Sequence, residues 1–424
     1  MALIRPFKGL RFSADRDLEK LIAPPYDVLT PAQREAYADK DPHNVVHLTL
    51  PEAKSDDRSK YVKYARSAAA LSQWRRDGVL KPEAEPALYR YSQRFTVPGQ
   101  RHEYTRTSFI SLLKLESFES GVVLPHEHTF PKHKEDRLRI LEATRAHLET
   151  IFGLFEDAEN LVEKVLSNAP VATLAEATDE EGVFHSLAVI TDPTSIATVA
   201  KLLSNKTIWI ADGHHRYETA LSFREGIREA EGEIAEDYMP IALTSMSDPG
   251  LVLLPTHRIL SNYPHTPEET IKNLSLGFDL APVPAEEVFE AIRPFGEKSQ
   301  CALGVVFSNG DAYVVTPKDS DALYGSLDSQ SSEALRHLDV TVLHEEILGR
   351  VLGVKGVEGL KFTRDDSEAL AVARSGAAMV WLMNPPTVGD MKTIALGGER
   401  MPQKSTYYFP KIQSGLVLWS LNDF

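Results

Sequence analysis

Residues 207–226, TIWIADGHHRYETALSFREG, constrain the architecture more than any other stretch of the chain. The run from Thr207 to Ile210 is β-branched or aromatic with no charged alternate, the pattern of a strand buried on both faces. Asp212-Gly213 then reads as a turn, and Tyr217, Ala220 and Leu221 recur at the i, i+3, i+4 spacing of a helix with Tyr217 and Leu221 on its core face. A doubly covered strand that feeds straight into a packed helix requires helices laid on a sheet. The expected fold class is therefore α/β, as a mixed α+β arrangement.

A chain of 424 residues exceeds one ordinary core. Three regions are expected: an N-terminal α/β region over 1–120, a core over 121–264 that carries the Asp-Gly-His-His-Arg turn, and a C-terminal α/β region over 265–424. In the first, three prolines force an ordered turn in APPYDVLTP, the apolar run NVVHLTL reads as a strand, and Tyr61 to Trp74 read as a helix. ALYRYSQRF and YTRTSFISLLKL flank a Pro-Gly turn as a hairpin. Leu138, Leu141, Leu148 and Ile151 mark one helix, PTSIATVAKLLSN another, and SEALRHLDVTVLHEEILGRVLG a longer one.

The formal net charge of -15 opposes a broad contact with a phosphate backbone, so no nucleic-acid partner is expected. Cys301 is the only cysteine, which excludes an intramolecular disulfide and a thiolate metal cage and suits a reducing cytoplasm. No stretch approaches the roughly 20 apolar residues of a membrane span. The reading is a cytoplasmic protein with no membrane partner.

His214, His215 and Arg216 fall in the first turn of the helix, where backbone N–H groups point outward and the helix dipole is positive. Such a turn binds anions, and Gly213 lets the backbone approach a bulky ligand. Cationic side chains at a helix N-terminus are unfavourable alone, so something anionic is expected to compensate them. Two other readings stand beside this one. Asp212 caps the helix and the histidines are surface residues, or the histidines join Asp212, His126 and His128 around a metal ion. Adjacent histidines on a helix point in different directions, and no HExxH pattern exists, so no metal ligand is assigned.

In LPHEHT, Glu127 lies between His126 and His128 in a proline-bounded loop, where neighbouring cations would keep a carboxylate ionised and able to accept a proton. GGERMPQKST departs from the P-loop pattern at its second glycine and lacks the strand–turn–helix context, yet Lys404, Ser405 and Thr406 carry donors suited to phosphate. Their other reading is a loop leading into a strand. Thr256, His257 and Arg258 follow an apolar strand, where polar residues line the cleft of α/β proteins.

ADGHHRYETA resembles the strand–turn–helix signature of the ParB/sulfiredoxin superfamily, and its Asp-Gly-His-His-Arg looks like the free-serine kinase branch. Over nearly its whole length the chain is similar to domain of unknown function family 1015, through IRPFKGLRF, APPYDV, LPHEHT, ADGHHRYETA, LPTHR and PQKSTYYFPK. The resemblance implies a ParB/sulfiredoxin-like core with large insertions. It implies a nucleotide-dependent phosphotransferase acting on a small hydroxylated metabolite, L-serine first among them, with ATP or ADP as donor and Mg²⁺ bridging the phosphates. The catalytic residues would be Glu127, as base, and Asp212; the phosphates would rest on Gly213, His214, His215 and Arg216, with Lys404, Ser405 and Thr406 contributing. His126, His128, Thr256, His257 and Arg258 would bind substrate, and Tyr26 and Asp27 are candidates through the resemblance alone. A nucleotide-binding regulatory module of ParB type and a metal-dependent hydrolase remain open. Acceptor, donor and oligomeric state are not set by the sequence.

Overall fold

The computed structural model describes residues 1–129, 131–227, 232–354, 356 and 359–424. The chain divides into two compact units where the sequence reading divides it into three: Met1–Pro125, Thr129–Val252 and Pro410–Phe424 form the first, and His126–His128 with Leu253–Phe409 form the second. The reason is strand pairing. Glu103–Lys114, from the expected N-terminal region, pairs with Tyr238–Ser245, from the expected core, so both lie in one sheet.

Among the described residues the first unit carries a nine-stranded mixed sheet. Ile208–Asp212 runs parallel to Val123–Leu124 on one side and antiparallel to Ile151–Phe155 on the other. The sheet continues through Tyr238–Ser245, Glu103–Lys114, Leu88–Thr96, Phe184–Ile190 and Ala172–Thr178, with Ile4–Arg5 also on Glu103–Lys114. Ile208 and Ile210 are fully buried, as expected of a strand covered on both faces, and the His214–Glu225 helix lays Tyr217 and Ala220 into the same core as Ile151 and Ile241. Leu221 is only partly buried against that core. The second unit is built on a six-stranded antiparallel sheet in the order Phe278–Pro282, Ala312–Pro317, Leu303–Phe307, Met379–Leu382, His257–Leu260, Leu360–Thr363. The whole is a mixed α/β fold. Among the described residues no helix is long and apolar enough to cross a membrane.

Three expected elements differ. NVVHLTL is a single buried helical turn, Val46–Thr49, because Asn44 holds it: its Nδ2 donates to Lys20 O and Ile22 O and its Oδ1 accepts from Val46 N. The helix through Leu138 stops at Thr144, since Arg145 takes φ 51, and Ile151 begins a strand instead. The stretch 332–353 breaks into Glu333–Arg336, Asp339–Thr341 and a π-helix, Val342–Val351, after Leu338 turns extended.

The C-terminal strand Trp419–Ser420 pairs with Ala146–His147, and the His147 ring stacks on Trp419 with centroids 5.8 Å apart. Burial pushes the His147 imidazole down to about 4. The unfolded chain protonates this group near its ordinary value of about 6.5, so the folded state binds fewer protons between those values and stability falls as pH drops from about 6.5 to about 4. The loss reaches at most about 3 kcal/mol. Urea unfolding across that range should show the slope, and His147→Asn should flatten it; an unchanged slope would assign the pH dependence elsewhere.

Candidate functional site

The first-unit site starts from Gly213, the N-cap of the His214–Glu225 helix, at φ 97. Only glycine holds that conformation cheaply. A Cβ there would also lie 2.5 Å from Ile151 Cγ2, so close packing inside the unit, in addition to any ligand, demands the glycine. Asp212 is the last residue of its strand and does not cap the helix; its Oδ1 accepts from Lys411 Nζ at 2.5 Å and its Oδ2 from Arg216 at 2.8 Å. Burial opposes ionisation of Asp212, but Lys411, Arg216 and His214 outweigh it and hold the carboxyl well below the usual range.

Arg216 is 9% exposed, and donates also to Thr150 O at 3.1 Å. Burial works against its charge, and Glu149, Asp212 and Asp27 more than restore it. Its Nε–H is buried with no acceptor among the described residues. Glu149 is itself fixed by Tyr26 N and Ser414 Oγ, each at 3.0 Å, and Arg137 lies 4.0 Å over the Tyr26 ring. Tyr26 and Asp27 thus join the 212–216 cluster. The anion expected to balance the cationic turn comes largely from the protein, as Asp212 and Glu149. Sequence reasoning missed Lys411, Glu149 and Arg137; Lys411 closes PQKSTYYFPK after three aromatics and a proline, the only sign it gave.

The second-unit cluster forms around Glu127. Its Oε1 accepts from Thr406 N at 3.0 Å and from Thr406 Oγ1 at 2.9 Å. With its one proton given to Glu127, the Thr406 hydroxyl accepts from His126 Nε2, 2.7 Å away. His126 is fully buried and His128 is exposed. Ser405 donates its hydroxyl to Pro402 O. Neither Ser405 nor Thr406 retains a hydroxyl proton for phosphate, which corrects the expectation that they serve as phosphate donors; Lys404 is exposed, at φ 58.

Arg258 is fully buried and turns all its donors to protein acceptors: His344 Nε2, Thr256 O, Met383 S, Gln403 O and Lys404 O. Burial, and then the Arg258 charge, push the His344 imidazole down to about 3, so it accepts as a neutral ring. His257 accepts from Met383 N on Nδ1 and donates from Nε2 to Asp366 at 3.0 Å. Both its nitrogens are spent inside the unit, so substrate binding by His257 is withdrawn. Thr256 is buried and lines a cavity described below.

Among the described residues no three His, Cys, Asp or Glu side chains are placed to share a metal ion. The hydrolase reading on His126, His128 and Asp212 fails on that geometry: His126 serves Thr406, and Asp212 serves Lys411 and Arg216.

The chain belongs to the family described as protein of unknown function (DUF1015), whose model matches residues 4–341. No match is found among curated proteins. Among solved structures, a free serine kinase in complex with AMP is similar over 74% of this chain and 93% of its own, at 12% identity and a TM-score of 0.38. A conserved hypothetical protein from Pyrococcus furiosus is similar over 74% and 97%, at 14% identity and a TM-score of 0.36. SbnI with a C-terminal truncation, from Staphylococcus aureus, is similar over 72% and 86%, at 10% identity and a TM-score of 0.33.

Gly213→Ala should cost on the order of 2 kcal/mol or more, from the left-handed backbone and the collision with Ile151. Gly226, at the other end of the same helix with φ -72 and nothing nearer than 3.5 Å, provides the control. Gly226→Ala should be neutral or stabilising by up to about 1 kcal/mol. Urea midpoints for the two variants decide it: equal values would mean that Gly213 is not conformationally required.

Proposed function

We propose that the chain is a nucleotide-dependent phosphotransferase acting on a small hydroxylated metabolite, with the phosphates received at the start of the His214–Glu225 helix. The observation that carries the reading is the buried Arg216 Nε–H with no acceptor, set in the first turn of that helix beside Asp212 and Lys411. A buried donor left unpaired costs about 1–3 kcal/mol, and an anionic oxygen is the acceptor that relieves it best. His214 and His215 share that turn. The motif resemblance points in the same direction, toward nucleotide phosphates, and names L-serine as the first acceptor to assay.

Asp212 accepts from a cation on each oxygen, which leaves it poorly suited to ligate Mg²⁺. Mg²⁺ in this reading arrives with the nucleotide, held by phosphate oxygens, and neutralises part of their charge. Asp212 acts instead as a positioning residue, keeping Arg216 and Lys411 in place. Glu127 is assigned the general base from the motif resemblance. Its Oε1 is fixed by Thr406, and Oε2 makes no hydrogen bond among the described residues, so a fixed carboxylate keeps one oxygen able to accept a proton.

Calorimetry with ATP, ADP, CTP and pyrophosphate, with and without Mg²⁺, tests the binding half. Arg216→Ala should weaken the preferred donor by at least about tenfold, and Arg216→Lys should weaken it too, because an ammonium cannot copy the Nε–H and the pair to Asp212 together. Wild type that binds none of the four at millimolar concentration would end the reading.

Phosphate transfer to an amino-acid and hydroxy-acid panel tests the chemical half. Glu127→Gln should lower turnover by roughly 10² or more while donor affinity stays within a few-fold. Full turnover in a folded Glu127→Gln variant would remove Glu127 from the chemistry, and nucleotide binding without transfer to any acceptor would reduce the chain to a nucleotide-binding module.

A further inference from the structure

A cavity of about 650 Å³ lies within the second unit, and Thr256, Arg258 and Asp339 all line it. Its size falls in the range of small-molecule sites, roughly 300–1,000 Å³, and far exceeds what a single small amino acid fills. Three features of the wall bear on a ligand. Arg258 is a buried cation that makes no ion pair among the described residues, although the charge of Glu127 acts on it. Asp339 is a carboxyl with no ion pair among the described residues; the Cys301 thiol and the Ala302 N–H hydrogen-bond to it, and the like charge of Asp390 acts on it. Thr256 is 7% exposed, and its hydroxyl makes no hydrogen bond among the described residues.

Arg258 and Asp339 thus give the wall one cation and one carboxyl that are not ion-paired with each other among the described residues. Met383, Leu338 and Pro385 add apolar surface to the same wall. The Arg258 pole rests on a π-helix, Val342–Val351, through His344. π-Helical turns are rare, cost backbone regularity, and occur frequently at functional sites.

We propose that this cavity binds a zwitterionic metabolite of dipeptide size, its carboxylate at the Thr256 and Arg258 pole and its ammonium group on Asp339. Such a ligand brings an ammonium group to a carboxyl that has no ion pair among the described residues and a carboxylate to the Thr256 hydroxyl. All the Arg258 donors are already engaged, so Arg258 contributes its field while the Thr256 hydroxyl donates the direct hydrogen bond to the carboxylate. A simple anion would meet Asp339 and Asp390 unpaired and is disfavoured. Burial, and secondarily Asp390, raise the Asp339 carboxyl to about 7. The ammonium group binds the ionised form. Affinity should therefore rise with pH up to about 7, with a proton released on binding below that point, and fall again above about 8, where the dipeptide's own amine loses its proton. The site is independent of the phosphate reading, and no nucleotide is needed to observe it.

Calorimetry on the full chain with L-alanyl-L-alanine, its N-acetyl derivative and its C-terminal amide tests the proposal. The free dipeptide should bind at millimolar concentration or better, about fivefold tighter at pH near 8 than near 6, and each capped analogue at least about tenfold more weakly. Thr256→Val should weaken the free dipeptide several-fold without changing its pH dependence. Asp339→Asn should lose about tenfold in affinity near pH 8 and all of the rise in affinity with pH. That variant replaces a carboxyl whose ionisation opposes folding, so it should melt at least as high as wild type near pH 8, which separates lost binding from lost fold. Ala334→Phe, on the same wall, should block binding by filling the space. The proposal is overturned if wild type binds no free dipeptide at millimolar concentration, if capped and free dipeptides bind alike, or if a folded Asp339→Asn variant binds as wild type does at both pH values.

Discussion

The first-unit site depends on one buried carboxylate. Asp212 stays ionised although buried because Lys411 and Arg216 stand on its two oxygens, with His214 adding to their field. Removing one partner of a buried pair leaves the other uncompensated, which typically costs about 3–5 kcal/mol, so the three residues form one unit of structure. Lys411 is held in turn by its own backbone: Gln93 Nε2 donates to Lys411 O at 2.9 Å, and Arg106 donates to Gln93 Oε1 and to Pro410 O. Arg106 is fully buried, and burial pulls its guanidinium down to about 10. The C-terminal segment therefore completes the charge balance at the start of the His214–Glu225 helix, and its docking through Trp419 and Leu418 is part of the site's construction.

Much of this fold is legible where periodicity is strong. The strand at Ile208–Asp212, the glycine turn and the helix at His214–Glu225 follow from β-branched residues, an Asp-Gly pair and the spacing of Tyr217 and Ala220. The failures share a cause: a short apolar run has no period long enough to choose between strand and helix. NVVHLTL is such a run, and its own first side chain, Asn44, decides it by bonding to Lys20 O and Ile22 O. The candidate site divides in the same way. The turn at 212–216 is local and readable, whereas Lys411 and Glu149 reach it through tertiary structure and leave no pattern in the chain. The protein itself supplies carboxylates, Asp212 and Glu149, against the cations of this turn.

Donor arithmetic separates two arginines that the sequence presents alike. Arg216 lies in the first turn of the His214–Glu225 helix and Arg258 in the His257–Leu260 strand, each directly after a histidine, and both are nine-tenths or more buried. Arg216 keeps its buried Nε–H without an acceptor among the described residues. Arg258 keeps none. Its bonds to Gln403 O and Lys404 O hold a turn in which Lys404 takes a left-handed backbone, and the next residues, Ser405 and Thr406, emerge in fixed positions. Thr406 then fixes Glu127 through its backbone N–H and its hydroxyl. Arg258 thus orients a carboxylate it does not touch. Because only Oε1 of Glu127 is used in that chain of contacts, the geometry immobilises the carboxylate without consuming its basic oxygen, which is the condition a positioned proton acceptor has to meet.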